Sequence, residues 1–297
     1  MSETNRYGLS RDIPSSVKKQ VRQACSFGCV VCGQIPYDYD HLRIPFADAR
    51  EHDPDDIVLL CDACHRRKTA HILSTDMILL AMKHRTAAQS PTRFKLSALK
   101  HDFCVSWAGN LIEANKNVIL VDGVPILSFA PTDNPLEPIL ISGSFSDRYG
   151  NVVCEIDQNE FLAKSASLGD LTVVSNRFTF RMPDGKIALQ YSLSDSILDI
   201  KDIFHTKNDA YVYGKNGRLQ VGNLFRGAAL ENCEFYACDI AISVASTVER
   251  LDFSNVDMSR FPFGEAVGNV HSKNAVAIRI RGNAAFNVSS TMRYEWA

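Results

Sequence analysis

Four cysteines carry the first chemical signal in the chain. Cys29-x-x-Cys32 and Cys61-x-x-Cys64 form two matched pairs with 28 residues between them. Two such knuckles read as a tetrahedral Cys₄ site for Zn²⁺, because each short turn sets two thiolates within reach of one ion. With sulfur in all four positions no place remains for water, so the expected zinc is structural. It would hold together a segment with too little core to fold alone. Gly28 and Gly33 flank the first pair, where tight backbone is needed. Chance spacing of buried cysteines is the bland alternative. Inside this frame lie Tyr39-Asp40-His41, then Asp55-Asp56 leading the apolar run Ile57–Leu60 into the second pair. His65 follows Cys64 directly, ahead of Arg66, Arg67 and Lys68.

The elements that must position these groups are short. Residues 11–27 predict a helix that Ser15 or Ser16 can cap, with Val17, Val21 and Ala24 on one face. Residues 28–60 are rich in Gly, Pro and Asp, with two short apolar runs that suit turns and a small hairpin. A short helix is expected over Cys64–Ala70. Ser74 can cap another through Met82, with Ile78, Leu79 and Met82 buried. The basic, polar stretch that follows reads as a connector, with a short helix over Pro91–Leu99.

In the order and spacing of these parts, residues 11–80 resemble the HNH endonuclease family in its zinc-ribbon form. The phrases are an Asp-His pair after a first C-x-x-C, and a Leu-Cys-x-x-Cys-His-x-x-Lys-Thr run at the second. The resemblance implies a ββα-metal fold, with His41 on one arm of a hairpin and His65 on the helix after it. It implies His41 as general base, and Asp40 and His65 as ligands of one catalytic divalent ion. A carboxylate and an imidazole with open water positions suit Mg²⁺, Mn²⁺ or Ni²⁺ better than a closed zinc cage. Asp56 stands where the family has a loop-bracing Asn. An ionised Asp accepts hydrogen bonds but donates none, so weakened activity is expected there. Arg66, Arg67 and Lys68, with Lys18, Lys19 and Arg22 as a second patch, are the expected contacts to DNA phosphates. His52 reads as a solvated loop histidine, and Cys25 as a packing residue.

Composition fits this division. The net charge of −2 hides 15 Lys/Arg against 11 Asp/Glu in residues 1–100, and 17 against 23 in the rest. A mildly basic first third therefore precedes an acidic remainder that suits DNA poorly. The first residues are polar with no apolar leader, the longest apolar run is Met77–Met82, and nine cysteines are an odd count for a disulfide scaffold. These features predict a reduced, cytoplasmic chain with no membrane segment.

Beyond the connector, apolar residues alternate with polar ones. Runs turn at Asp122–Gly123, Asp147–Gly150, Pro183–Gly185 and Lys215–Gly217, and shorter ones follow over Ala228–Ala245, Val248–Phe253 and Ala275–Arg281. The expected fold class is α+β: an HNH zinc domain over 1–85, a basic connector over 86–110, and an all-β domain over 111–297, sandwich or β-solenoid. His205 and His271 are isolated there. Two roles fit a β domain without catalytic groups: a sensor for an activating ligand or protein, or a platform for homo-oligomers. A defence or toxin-like setting is the hypothesis such a coupling raises. The expected activity is metal-dependent hydrolysis of DNA. The alternative is a zinc-ribbon, nucleic-acid-binding regulator with a weakened site.

Overall fold

Helical periodicity governs the first part of the chain and alternation the rest, and the computed structural model follows that change. It describes residues 4–87, 92–95, 103–130, 139–194, 196–223, 227–246, 264–267, 270–271 and 276–280. Helix α1, Ser15–Ala24, starts after Pro14 with no side-chain cap, so neither Ser15 nor Ser16 serves as its N-cap. Strands β1, Asp38–His41, and β2, Ile57–Leu60, pair antiparallel, with Asp40 opposite Val58 and His41 opposite Ile57. All four residues of β2 are buried. Helix α2, Asp62–Thr69, leaves the second knuckle directly. Helix α3, Thr75–Ala87, has Ser74 Oγ accepting from the Met77 amide at 3.2 Å, as its sequence predicts. Val21, Ile57, Leu59, Leu60, Leu73 and Ile78 close a small core that includes three knuckle cysteines, Cys29, Cys61 and Cys64, while Cys32 is exposed.

The large sheet holds the remaining strands. These are β3 Thr92–Lys95, β4 Cys104–Trp107, β5 Asn110–Val121, β6 Val124–Ala130, β7 Leu140–Ser146, β8 Val152–Asp157 and β9 Glu160–Ala163. Then come β10 Asp170–Val174, β11 Arg177–Arg181, β12 Ile187–Leu193, β13 Ile197–Lys207, β14 Ala210–Lys215, β15 Arg218–Gly222, β16 Gly227–Glu231 and β17 Glu234–Val244. Short segments β18 Gly264–Val267, β19 Val270–His271 and β20 Val276–Ile280 complete it. The expected run Val248–Phe253 lies outside the described residues.

Strands β5 to β9 and β10 to β16 form two antiparallel meanders. Parallel seams join them where β4 meets β13 and where β17 meets β5. The antiparallel runs of a sandwich and the parallel seams of a coil are thus both present. Hairpin turns fall where the sequence predicts. At Asn216–Gly217 both residues have positive φ, 53° and 81°, the left-handed pair that a type I′ turn requires. The meanders share one core: Phe161 of β9 packs on Tyr191 of β12, with centroids 5.3 Å apart, and Phe94 of β3 on Phe178 of β11 at 5.0 Å.

One expectation is corrected. The segment read as a connector, 86–110, supplies β3 and β4, and Thr92–Lys95 is a strand where a helix over Pro91–Leu99 was expected. The cause is tertiary: β9 offers an unfilled edge, and Phe94 lies opposite Phe161 in that register while entering the aromatic core. On its other side β3 meets the first knuckle, where the Arg93 amide donates to Gly33 O and the Ile35 amide to Arg93 O, at 2.9 and 3.1 Å. Phe27 and Ile35 join the core of the β region. The part that carries the cysteine knuckles and the sheet are therefore stitched directly together. No helix among the described residues is long and apolar enough to cross a membrane.

Candidate active site and zinc knuckles

The two knuckles converge. The Sγ atoms of Cys29, Cys32, Cys61 and Cys64 all lie within 4.8 Å of one another. Cys32 is 3.6 Å from Cys61 and 3.9 Å from Cys64. Sulfurs at about 2.3 Å from a tetrahedral zinc stand about 3.8 Å apart, so the donor set fits the ion. Gly28 allows the approach, since a Cβ there would meet Gly33 O at 2.7 Å and Thr92 Oγ1 at 2.9 Å. Burial and the charge at Cys29 push the Cys64 thiol up to about 12. Four thiolates at this spacing therefore call for a cation. Cys25 is a packing residue, its sulfur accepting from the Leu59 amide at 3.4 Å. Cys154 and Cys233 are buried and Cys104 is half-buried. The Cys238 side chain lies outside what is described.

The second knuckle also fixes the start of α2, which puts His65 against β1. His65 Nε2 is 3.4 Å from Asp40 Oδ1, and the Asp40 side chain is 14% exposed against 45% for His65. One carboxylate oxygen and one imidazole nitrogen at this separation, open to solvent through His65, suit an oxygen-rich divalent ion with several waters. Lys68, one turn further along α2, donates to Asp40 Oδ2 and, at 2.7 Å, to the His41 carbonyl. Lys68 was expected on phosphate. It is engaged instead in bracing the strand that carries Asp40 and His41.

His41 points elsewhere, as alternation along a strand requires. Its ring lies 5.5 Å from that of His52 and 5.8 Å from that of Phe46. Nε2 is buried with no hydrogen-bond partner among the described residues. Burial first, then the charge at His52, lowers the proton affinity of His41. The ring is therefore neutral at pH 7 and able to accept a proton. His52, expected in solvent, packs on His41 and stacks on Phe46, with Nε2 2.8 Å from Ser10 O.

Asp56 is buried, and its two oxygens divide the work. Oδ1 accepts from the Arg43 amide and Oδ2 from the Ile44 amide, both at 2.9 Å, while the Leu42 amide donates to Asp56 O at 2.7 Å. The loop leaving His41 is tied by three backbone donors in a row. Both side-chain bonds need acceptors, so a carboxylate suits this geometry where an amide would serve only one of them. Arg43, 3.6 Å from Oδ1, offsets the charge. Asp56→Asn is expected to turn one N–H toward another and to cost roughly 1–3 kcal/mol. A denaturation midpoint unchanged from wild type would refute this account.

A cleft of about 620 Å³ connects the parts, lined by Arg11 and Lys18 together with Tyr39, Asp40, His41, His65 and Lys68. Lys18 reaches it while pairing with Asp12 at 2.6 Å. Lys19, Arg66 and Arg67 are exposed and stand outside that lining. Arg22 is a correction. Only 9% exposed, it donates to both oxygens of Asp170 at 2.8 and 2.7 Å and to the Tyr39 hydroxyl at 2.8 Å. A buried guanidinium needs such partners, and with its charge met by Asp170 inside the fold it is not part of a phosphate-facing patch. Arg11, by contrast, was not read as a site residue. It has no motif around it, and only the fold brings it over the Phe46 ring, at 5.4 Å. His205 is a satisfied core residue, with Nδ1 accepting from the Ser146 amide at 3.1 Å.

No curated protein and no solved structure matches the chain. Residues 29–71, which run from the first knuckle through β1, β2 and α2, match the family described as HNH endonuclease, and with the four-cysteine cluster they give this part of the chain a nuclease-family or zinc-binding, nucleic-acid-related role.

Proposed function

We propose that the chain is a metal-dependent endonuclease that hydrolyses DNA phosphodiester bonds. The observation that carries this reading is the meeting of Asp40, His65 and Lys68 beside a neutral His41 whose Nε2 has no hydrogen-bond partner among the described residues, all lining one cleft that also holds Arg11 and Lys18. Asp40 and His65 would hold a divalent ion, Mg²⁺, Mn²⁺ or Ni²⁺, which when bound supplies positive charge to the phosphate and to the departing 3′ oxygen. The neutral His41 ring takes the proton of the attacking water. Asp56 holds the loop behind His41, so the ring keeps its aim. Lys68 fixes Asp40 and the His41 carbonyl together. Arg11 and Lys18 draw the phosphate backbone into the cleft, and Arg66, Arg67 and Lys19 extend the basic surface beyond it. Zn²⁺ in the cysteine cluster is structural. The reduced thiols suit the cytoplasm.

The test is incubation of the purified chain with supercoiled plasmid and Mg²⁺, Mn²⁺ or Ni²⁺ in turn. Nicked or linear product that requires the added ion is the expected result. A second reading is favoured by one contact: the Lys68 ammonium already compensates Asp40, as it would in a zinc-ribbon binder that had lost catalysis. A chain that retards DNA on a gel yet leaves it intact with every ion would select that reading.

A further inference from the structure

The catalytic strand, braced by Lys68 from α2, has little sheet of its own. β1 has four residues and one strand partner, β2, and an isolated two-stranded ribbon is marginal in water. Asp40 and His41 need tighter placement than such a ribbon provides, since misplacing a reacting group by about 1 Å can cost about 10²-fold in rate. Further support comes from the β region. Asp170, the first residue of β10, receives Arg22 through both carboxylate oxygens, 148 residues away in sequence, and the same guanidinium holds the Tyr39 hydroxyl. Tyr39 stands directly before Asp40 on β1. Its neighbours repeat the grip: Gln23 Nε2 donates to Gly169 O at 2.8 Å, and the Tyr37 hydroxyl to Leu171 O at 3.4 Å. The Tyr37 ring meets Tyr39 edge-on at 6.1 Å. Three consecutive residues, 169–171, thus hold α1 and the approach to β1.

We propose that Asp170 is a positioning residue for the catalytic strand, acting through Arg22 and the Tyr39 hydroxyl to fix how Asp40 and His41 are presented. This rests on the nuclease reading for its kinetic part only. The β region then completes the active site, and its first strand after the midpoint of the fold is the point at which any signal it receives would reach the cleft. A charged pair this deeply buried stabilises its surroundings only while both partners are present. The Tyr39 bond is lost whenever Arg22 is released.

The experiment compares the full-length wild type with Asp170→Asn, Tyr39→Phe and the double variant. Tyr39→Phe removes one hydroxyl and leaves the Arg22–Asp170 pair in place, so it reports even where Asp170→Asn folds poorly. The proposal expects amide hydrogen exchange at residues 38–41 to accelerate about tenfold or more in each variant, with residues 61–69 and zinc content unchanged. It expects plasmid cleavage with kcat lowered about tenfold, KM within about twofold, and a double variant no slower than the slower single, as for residues acting in one chain. Unchanged exchange at 38–41 in both single variants overturns it, as does a double variant whose loss is the product of the two. A wild type that never cuts DNA overturns the nuclease reading alone, and the exchange measurement still decides the role of Asp170.

Discussion

The His41→Ala chain is expected to cleave plasmid DNA at least about 100-fold more slowly than wild type, with its zinc content and DNA affinity unchanged. A positioned general base contributes on the order of 10²–10⁴ in rate, and within the cleft His41 is the imidazole whose Nε2 has no hydrogen-bond partner among the described residues. The residue is also tuned for the task. Burial, then the charge at His52, lowers its proton affinity from the usual 6.5, so at pH 7 it is in the base form. The sign of the pH dependence follows: activity persists as pH drops below 6.5 and falls only when pH passes through the lowered value. His52→Ala removes the second of these causes and is expected to move that acid limb upward. His41→Ala has no acid limb to move. Full cleavage by His41→Ala would mean a contaminating nuclease or a different base, and the proposal would not survive it.

Much of this site is legible along the sequence because its parts are local. A C-x-x-C turn makes its own geometry, and Asp40-His41 and Cys64-His65 are neighbours by covalent connection. The hairpin turns at Asp122–Gly123 and Asn216–Gly217 are equally local, since their backbone conformations belong to the residues themselves. What the sequence hides is set by partners far along the chain. Arg22 sits among Lys18, Lys19 and Gln23 and looks like one more solvated cation, and only a carboxylate 148 residues later makes it a buried strut. Thr92–Lys95 lies in a basic, polar stretch, and its strand conformation comes from the edge of β9 and the rings of Phe161 and Phe178. At Asp56 the bracing role is legible but the chemistry is not. A missing donor looks like a defect until both oxygens are found accepting backbone bonds.

Removing the zinc is expected to have the largest effect on stability. A structural Zn²⁺ contributes on the order of 10–16 kcal/mol in isolated zinc modules near pH 7. Three of the four cysteines, Cys29, Cys61 and Cys64, belong to the small core that also holds β2, Leu73 and Ile78, so that core is organised around the cluster. Without a cation the closely packed cluster must keep its protons, since burial and a neighbouring thiolate oppose ionisation of Cys64. Chelation, or Cys29→Ala, should therefore release zinc and unfold α2 and the β1–β2 hairpin, and all cleavage should cease. The β region has a separate aromatic core and should keep its strands through this step. Two transitions are thus expected in a thermal scan of the chelated protein, and circular dichroism at low temperature should lose helix but retain sheet. Acid acts in the same direction, because the ligands bind as thiolates and each proton added competes with the metal. Stitching at β3 and at Asp170 makes the second transition occur earlier in the chelated protein than in the zinc-loaded one, since Asp170 is left buried without Arg22. A chain that carries no zinc by elemental analysis, or whose α2 exchange is indifferent to chelation, would show that the four sulfurs meet for another reason.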